Sequence, residues 1–166
     1  MHANEALIHT FYQAFQKKDY RTMQESYHRD ATFSDPVFQN LTSVEVKAMW
    51  EMLTSSAKDL EISYDNVRAD NHEGECRWEA RYTFSGTGRK VYNVISSRLQ
   101  FQDGKIIKHT DHFNFWRWSR MALGGAGWLM GWTPYLLNAV RQKVRGRLQT
   151  FMKKKGDIPT EQSSIH

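Results

Sequence analysis

The sequence predicts an α+β fold in which three helices precede a meander sheet and a further helical segment follows it. Three observations lead there. Apolar residues recur at three- and four-residue steps through the first third of the chain. Strict apolar–polar alternation takes over from about residue 59. After Trp118 the alternation yields to a small, apolar, Gly-rich run and then to a basic amphipathic stretch.

Residues 5–17 form the first predicted helix, with Leu7, Ile8, Phe11, Ala14 and Phe15 on one face. Lys17-Lys18 ends it, and Asp19 caps a second, short helix carrying Met23 and Tyr27. His28-Arg29-Asp30 reads as a turn, and 31–34 as a short strand stopped by Asp35-Pro36. Thr42-Ser43-Val44-Glu45 is a capping box, Thr42 reaching forward and Glu45 back. It opens a third helix running to about Leu53, with Val46, Met49, Trp50 and Leu53 on one side.

Strands are predicted over 59–69, 75–85, 91–102 and 106–118. In the second, Cys76, Trp78, Ala80, Tyr82 and Phe84 alternate with Arg77, Glu79, Arg81 and Thr83, giving one dry and one wet face. In the third, Val91, Asn93, Ile95, Ser97, Leu99 and Phe101 share a face. Asp103-Gly104 makes the hairpin turn before the last strand. Residues 1–118 form the principal unit, 119–156 a helical extension of it, and 157–166 a tail expected to be disordered. Within the extension, Thr133-Pro134 starts a final helix over 134–152. Its stripe is Leu137, Val140, Val144, Leu148 and Phe151. Gly124-Gly125-Ala126-Gly127 lacks the Lys-Ser/Thr of a phosphate loop and is read as a tight turn against the sheet.

At 166 residues the chain fits one domain with a real core. Aromatics reach 13%, which points to a core or pocket lined with rings. The single cysteine, Cys76, excludes an internal disulfide. No apolar run reaches the roughly 18 residues of a membrane span. The N-terminus lacks the basic-then-apolar order of a signal peptide, so the cytoplasm is the default location. Charge is divided unevenly: residues 1–111 hold 14 Lys/Arg against 16 Asp/Glu, and residues 112–166 hold 9 against 2. The basic character belongs to the C-terminal extension.

Two stretches carry a resemblance. Tyr27-His28-Arg29-Asp30-Ala31-Thr32-Phe33-Ser34-Asp35-Pro36-Val37 resembles the end of the second helix, the "xxDAT" turn and the Asp-Pro strand end of ketosteroid isomerase and SnoaL-like proteins. Residues 101–111 resemble the "F-x-D-G-K-I-x-x-H-x-D" signature of SnoaL-like chains. The element order agrees, so the resemblance covers roughly residues 5–118. It implies the NTF2-like cone: three helices packed in a strongly curved antiparallel sheet, here with a C-terminal helical extension.

The resemblance also implies site residues. Asp35 falls on the isomerase position of the general base. The position matching the isomerase oxyanion Tyr is Phe11, with Tyr12 one step away on another helix face, and the position matching its protonated Asp is Ser97. Both oxyanion donors are thus missing or weakened, which argues against true steroid isomerisation. SnoaL-like cyclases use a pocket His/Asp pair, and His109 and Asp111 are the candidates. They lie two apart in a strand and point to one side, which Phe113 and Phe115 share. Each candidate also has a plainer reading. Asp35 can simply shape the turn before Pro36. His109 and Asp111 can be a satisfied polar pair at the sheet edge.

Catalytic candidates are therefore Asp35, His109 and Asp111. Ligand contacts are expected from Phe11, Tyr27, Trp78, Tyr82, Ile95, Ser97 and Phe113. No metal site is expected, because His109, Asp111 and Asp35 lack any signature spacing. No cofactor is expected either. The reading is a pocket protein performing isomerisation, cyclisation or hydration on a small, largely apolar molecule; the alternative is a non-catalytic binder of a lipid-like ligand. Family members often pair through the outer sheet face, so a homodimer is expected, with Tyr92 and Val94 on that face.

A nucleic-acid partner is not expected, since no recognised motif accompanies the basic helix. The extension has two readings: a lid folded back on the domain, or a peripheral membrane contact through 128–152, where Trp128, Leu129, Met130 and Trp132 adjoin a cationic helix. The lid is preferred, with destabilisation on removal of 119–166 and little liposome binding as its expected consequences.

Overall fold

The computed structural model describes residues 1–156; the tail read as disordered, 157–166, lies outside the described residues. The helices before the sheet are α1 (Ala3–Gln16), α2 (Tyr20–Glu25) and α3 (Ser43–Ser56). The strands are β1 (Tyr27–Ser34), β2 (Glu61–Ala69), β3 (Glu73–Phe84), β4 (Arg89–Gln102) and β5 (Lys105–His112). The extension holds α4 (Phe115–Leu123), α5 (Gly125–Met130) and α6 (Pro134–Lys155).

Local chemistry sets most of these boundaries. The Thr42–Glu45 capping box forms as read, with Thr42 Oγ1 accepting from the Glu45 N–H and Glu45 accepting from the Thr42 N–H. A second box, missed in the sequence, opens α1 with a His2 side chain in the cap position and Glu5 reaching back. Asp103 and Gly104 both take positive φ, 53° and 71°, the mirror-image turn that a tight hairpin between β4 and β5 requires.

The five strands form one curved, open sheet in the order β1-β5-β4-β3-β2. β2 through β5 are an antiparallel meander. β1 is the exception: it joins β5 in parallel, pairing Phe33 with His109. Only a crossover can place a parallel neighbour, and here α3 and the whole meander supply it. The alternation in β4 turns Val91, Asn93, Ile95, Ser97, Leu99 and Phe101 inward, all buried. The inner face meets α1 and α3 in one core of Ile8, Phe11, Phe15, Trp50, Trp78 and their neighbours.

Three expectations need correction. Tyr27 does not end α2; it begins β1, and the expected turn at 28–30 is absorbed as a register shift between Tyr27 and Thr32. The last strand stops at His112 rather than Trp118. Asn114 caps a helix there, its Oδ1 accepting from the Arg117 N–H. Phe113 and Phe115 mimic strand alternation, but Trp118 and Ala122 continue a helical step that packs beside Val91. Finally, the glycine run meets the sheet only at Gly124, beside the Arg89 side chain of β4, and its closest approach is to α4. A Cβ at Gly127 would collide with the Ser119 carbonyl, so only glycine lets α5 approach so closely.

The last helix folds back over the domain. Leu148 and Met152 are buried in the principal core, with Val144 and Phe151 packed against it. Lys155 pairs with Glu51 of α3, and Arg141 Nε donates to the Pro36 carbonyl at 2.9 Å. No helix among the described residues is long and apolar enough to cross a membrane.

Candidate functional site

Between the sheet, α3, α4 and α6 lies a cavity of about 230 Å³. Its wall is mostly apolar, with Phe15, Met49, Trp50, Trp78, Ile95 and Phe113 prominent. Two carboxyl groups, Asp35 and Asp111, reach it, together with Tyr82, Asn93 and Trp118. Val144 and Arg147 close it from the side of α6.

Asp35 ends β1 and begins the loop toward Pro36. Its Oδ1 accepts the N–H groups of Val37 at 2.8 Å and Phe38 at 2.6 Å, the side-chain turn that Asp favours. The turn role and the cavity position therefore coexist in one residue. Burial pushes its carboxyl up from 3.8 to about 7, against the pull of those two N–H donors. The charge of Asp111 adds to the rise and Arg141 opposes it.

Behind the wall, a hydrogen-bond network converges on Asp111, and indole donors fix its direction. The Trp50 Nε1–H can only donate, and it donates to the Tyr27 hydroxyl at 2.8 Å. The Tyr27 hydrogen is then free for His109 Nδ1 at 2.7 Å, which leaves His109 Nε2–H to donate to Asp111 Oδ1 at 2.9 Å. A second arm runs from the Trp78 Nε1–H into Ser97 Oγ at 3.0 Å, and Ser97 donates to the same Asp111 oxygen. Tyr12 completes that arm, its hydroxyl 2.8 Å from Ser97 Oγ. The whole arrangement suits an Asp111 carboxylate facing a neutral imidazole. Burial holds the Tyr12 and Tyr27 phenols well above their ordinary value, so both remain hydrogen-bond donors.

Trp78, Tyr82, Ile95, Phe113, Asp35 and Asp111 line the cavity. Phe11, Tyr27, Ser97 and His109 do not; they stand behind the wall in the packed core, and His109 is fully buried. The imidazole therefore reaches the cavity only through Asp111, both its ring nitrogens being engaged. Phe11 packs its ring edge-on against Tyr27 and His109, with centroids 5.7 Å apart in each case. Phe115 leaves the strand face and stacks on Trp118 instead. Several contributors escaped the sequence reading: the Trp50 indole in the network, and Asn93, Trp118 and Arg147 at the wall. Asn93 alone left a signal, as a polar side chain inside an inward-facing run.

Replacing Tyr27 with Phe is expected to cost roughly 2–4 kcal/mol, because it strands the Trp50 indole N–H and His109 Nδ1 in the core. Chemical denaturation measures this. A loss under about 0.5 kcal/mol would show that the network is not closed as described.

Solved structures share this architecture. An epoxide hydrolase of the LEH-like kind from M. tuberculosis superposes with a TM-score of 0.62 at 15% identity, covering 76% of this chain and 94% of that one. An NTF2-like protein of unknown function from Burkholderia pseudomallei gives 0.62 at 14%, covering 73% and 98%. A protein from Streptomyces antibioticus, described provisionally as a polyketide cyclase, gives 0.58 at 19%, covering 68% and 93%. At these identities the likeness shows the fold. No curated protein matches the sequence. The profile of the SnoaL-like domain matches residues 8–109, the stretch from the first helix to the histidine of the network, and the chain belongs to the SnoaL-like family.

Proposed function

We propose that the cavity is the active site of an acid–base enzyme acting on a small, largely apolar molecule, by isomerisation, cyclisation or hydration. One observation carries this reading: a carboxyl held near 7 in an apolar cavity, beside a second carboxyl wired as an acceptor. A group titrating near neutrality is populated in both forms, so Asp35 can take a proton in one step and return it in the next. Asp111 stabilises positive charge that develops on the substrate, and His109, Ser97 and Tyr27 are positioning residues that hold it. Tyr82 accepts from the Trp118 indole at 2.8 Å, which leaves its own hydrogen for a substrate oxygen. Burial and the charge of Asp35 raise the Tyr82 phenol, keeping it protonated for that task. Such proton shuttling calls for no cofactor. Among structural neighbours, those described as an epoxide hydrolase and a polyketide cyclase fit hydration and ring closure.

A second reading, a non-catalytic binder of a lipid-like ligand, is favoured by Phe11 and by a Ser97 whose hydrogen is already given to Asp111. One experiment separates the two. Mass spectrometry of the gently purified protein identifies a retained molecule, which is then incubated with fresh protein. The enzyme reading predicts conversion, and a loss of about a hundredfold or more in Asp35→Asn with binding retained. Recovery of the molecule unchanged supports the binder.

A further inference from the structure

From the sequence, the extension 119–156 is either a lid or, through 128–152, a membrane contact. The structure separates two parts. α6 is fixed to the body through Leu148 and Met152. The stretch before it and its first turn are not covered: Trp128 is 58% exposed, Leu129 77%, Trp132 71% and, inside α6, Tyr135 73%. With Trp116 and Met130 they make six of the eight exposed large apolar residues among the described residues, the other two being Met1 and Val44. Exposed aromatics gathered in one stretch are not the scattered singles of an ordinary surface.

The same corner is cationic. Arg89, Lys90, Arg117 and Arg120 line a shallow recess with Met121 and Trp128. The Arg120 guanidinium lies 4.4 Å from the Trp116 ring and 4.7 Å from that of Trp128, and its buried Nε has no hydrogen-bond partner. Four cationic side chains around one recess suit a phosphate oxygen. Residues 112–156 contain nine Lys/Arg and no Asp or Glu, and on the β4 side of the recess Lys90 lies 3.8 Å from Asp59.

We propose that the α4–α5 corner docks on an anionic membrane surface, with Trp128, Leu129, Trp132 and Tyr135 in the interfacial layer and a lipid phosphate in the Arg–Lys recess. Trp and Tyr are the side chains suited to that depth, and neighbouring cations add attraction to the anionic headgroups. α4 connects this patch to the cavity, since Trp118 lines the cavity while Trp116 lies on the exposed patch. The protein would thus meet apolar molecules where they partition. The proposal stands on the patch alone and holds whether the cavity catalyses or only binds. It replaces the expectation of little liposome binding.

The test uses the full chain and co-sedimentation with phosphatidylcholine vesicles, with and without phosphatidylserine. The expected result is binding to the anionic vesicles at least about tenfold tighter than to the neutral ones. Trp128→Ala/Trp132→Ala and Lys90→Glu/Arg117→Glu each weaken it by roughly tenfold or more, with melting temperatures unchanged. A blue shift of tryptophan fluorescence on binding, lost in the double Trp variant, places the rings in lipid. Absence of binding by the wild type at low salt overturns the proposal. So does undiminished binding by the double Trp variant. A wild-type dimer in analytical ultracentrifugation that the double Trp variant dissolves would show a second copy covering the patch, and would also overturn it.

Discussion

Deleting residues 134–166 will lower the melting temperature by on the order of 10–20 °C. The deletion removes the fully buried Leu148 and Met152 and the half-buried Val144 and Phe151 from the principal core. Each fully buried side chain of this size contributes roughly 1.5–3 kcal/mol through removal of apolar area from water. A loss of about 5 kcal/mol in a domain of this length moves the midpoint by that range. The Arg145–Glu45 pair adds little, being partly exposed, whereas loss of Lys155 leaves the buried Glu51 without its ion-pair partner. Leu148→Ala alone is expected to cost roughly 2–5 kcal/mol, because its site is closed on all sides. Differential scanning calorimetry measures both. A midpoint within about two degrees of wild type after deletion would mean that α6 does not rest on the core in solution.

Asp35→Asn will stabilise the protein at high pH and leave it nearly unchanged at low pH. The Asp35 carboxyl moves from 3.8 to about 7 on folding, so the folded protein holds this proton more tightly than the unfolded chain. The stability the proton contributes is fully present below 3.8 and is lost as pH rises through 7. Above that, the wild type keeps a charged carboxylate in an apolar cavity, which opposes folding. Asn keeps an oxygen for the Val37 and Phe38 N–H groups and carries no charge. The shift corresponds to at most about 4 kcal/mol, and the partial exposure of Asp35 reduces the gain to roughly 2–4 kcal/mol at pH 8. Denaturation of both proteins across pH checks this. A difference that stays flat with pH, or a variant weaker at pH 8, would show that Asp35 is ionised without penalty.

Much of this geometry was legible in the residues, and the limits of that reading have physical causes. Strand parity placed Trp78, Tyr82 and Ile95 on the inner face, because a period of two admits only two answers and the polar partners excluded one. The Thr42–Glu45 box and the Asp103-Gly104 turn are local chemistry, and short segments specify them. The helix at 115–123 was hidden because Phe113 and Phe115 prolong the two-residue alternation of the strand, while the helical step shows only once Phe115, Trp118 and Ala122 are read together; Asn114 decides the matter through a single side-chain hydrogen bond. Parallel pairing of β1 with β5 has no local sign, being set by the crossover. Parity also puts His109, Ser97 and Asp111 on one side, but it cannot tell which reaches a cavity and which lies behind it. That depends on α1: Phe11 and Tyr12 fill the space over His109 and Ser97 and leave Asp111 at the wall.

The central claim is that the cavity holds a carboxyl poised for proton transfer near neutral pH. Carbon-13 NMR of the side-chain carboxyls, titrated through the acid and neutral range, tests it most directly. The account predicts one carboxyl signal with its inflection close to 7, absent from the spectrum of Asp35→Asn. An Asp35 signal that titrates near its ordinary 3.8 would contradict it.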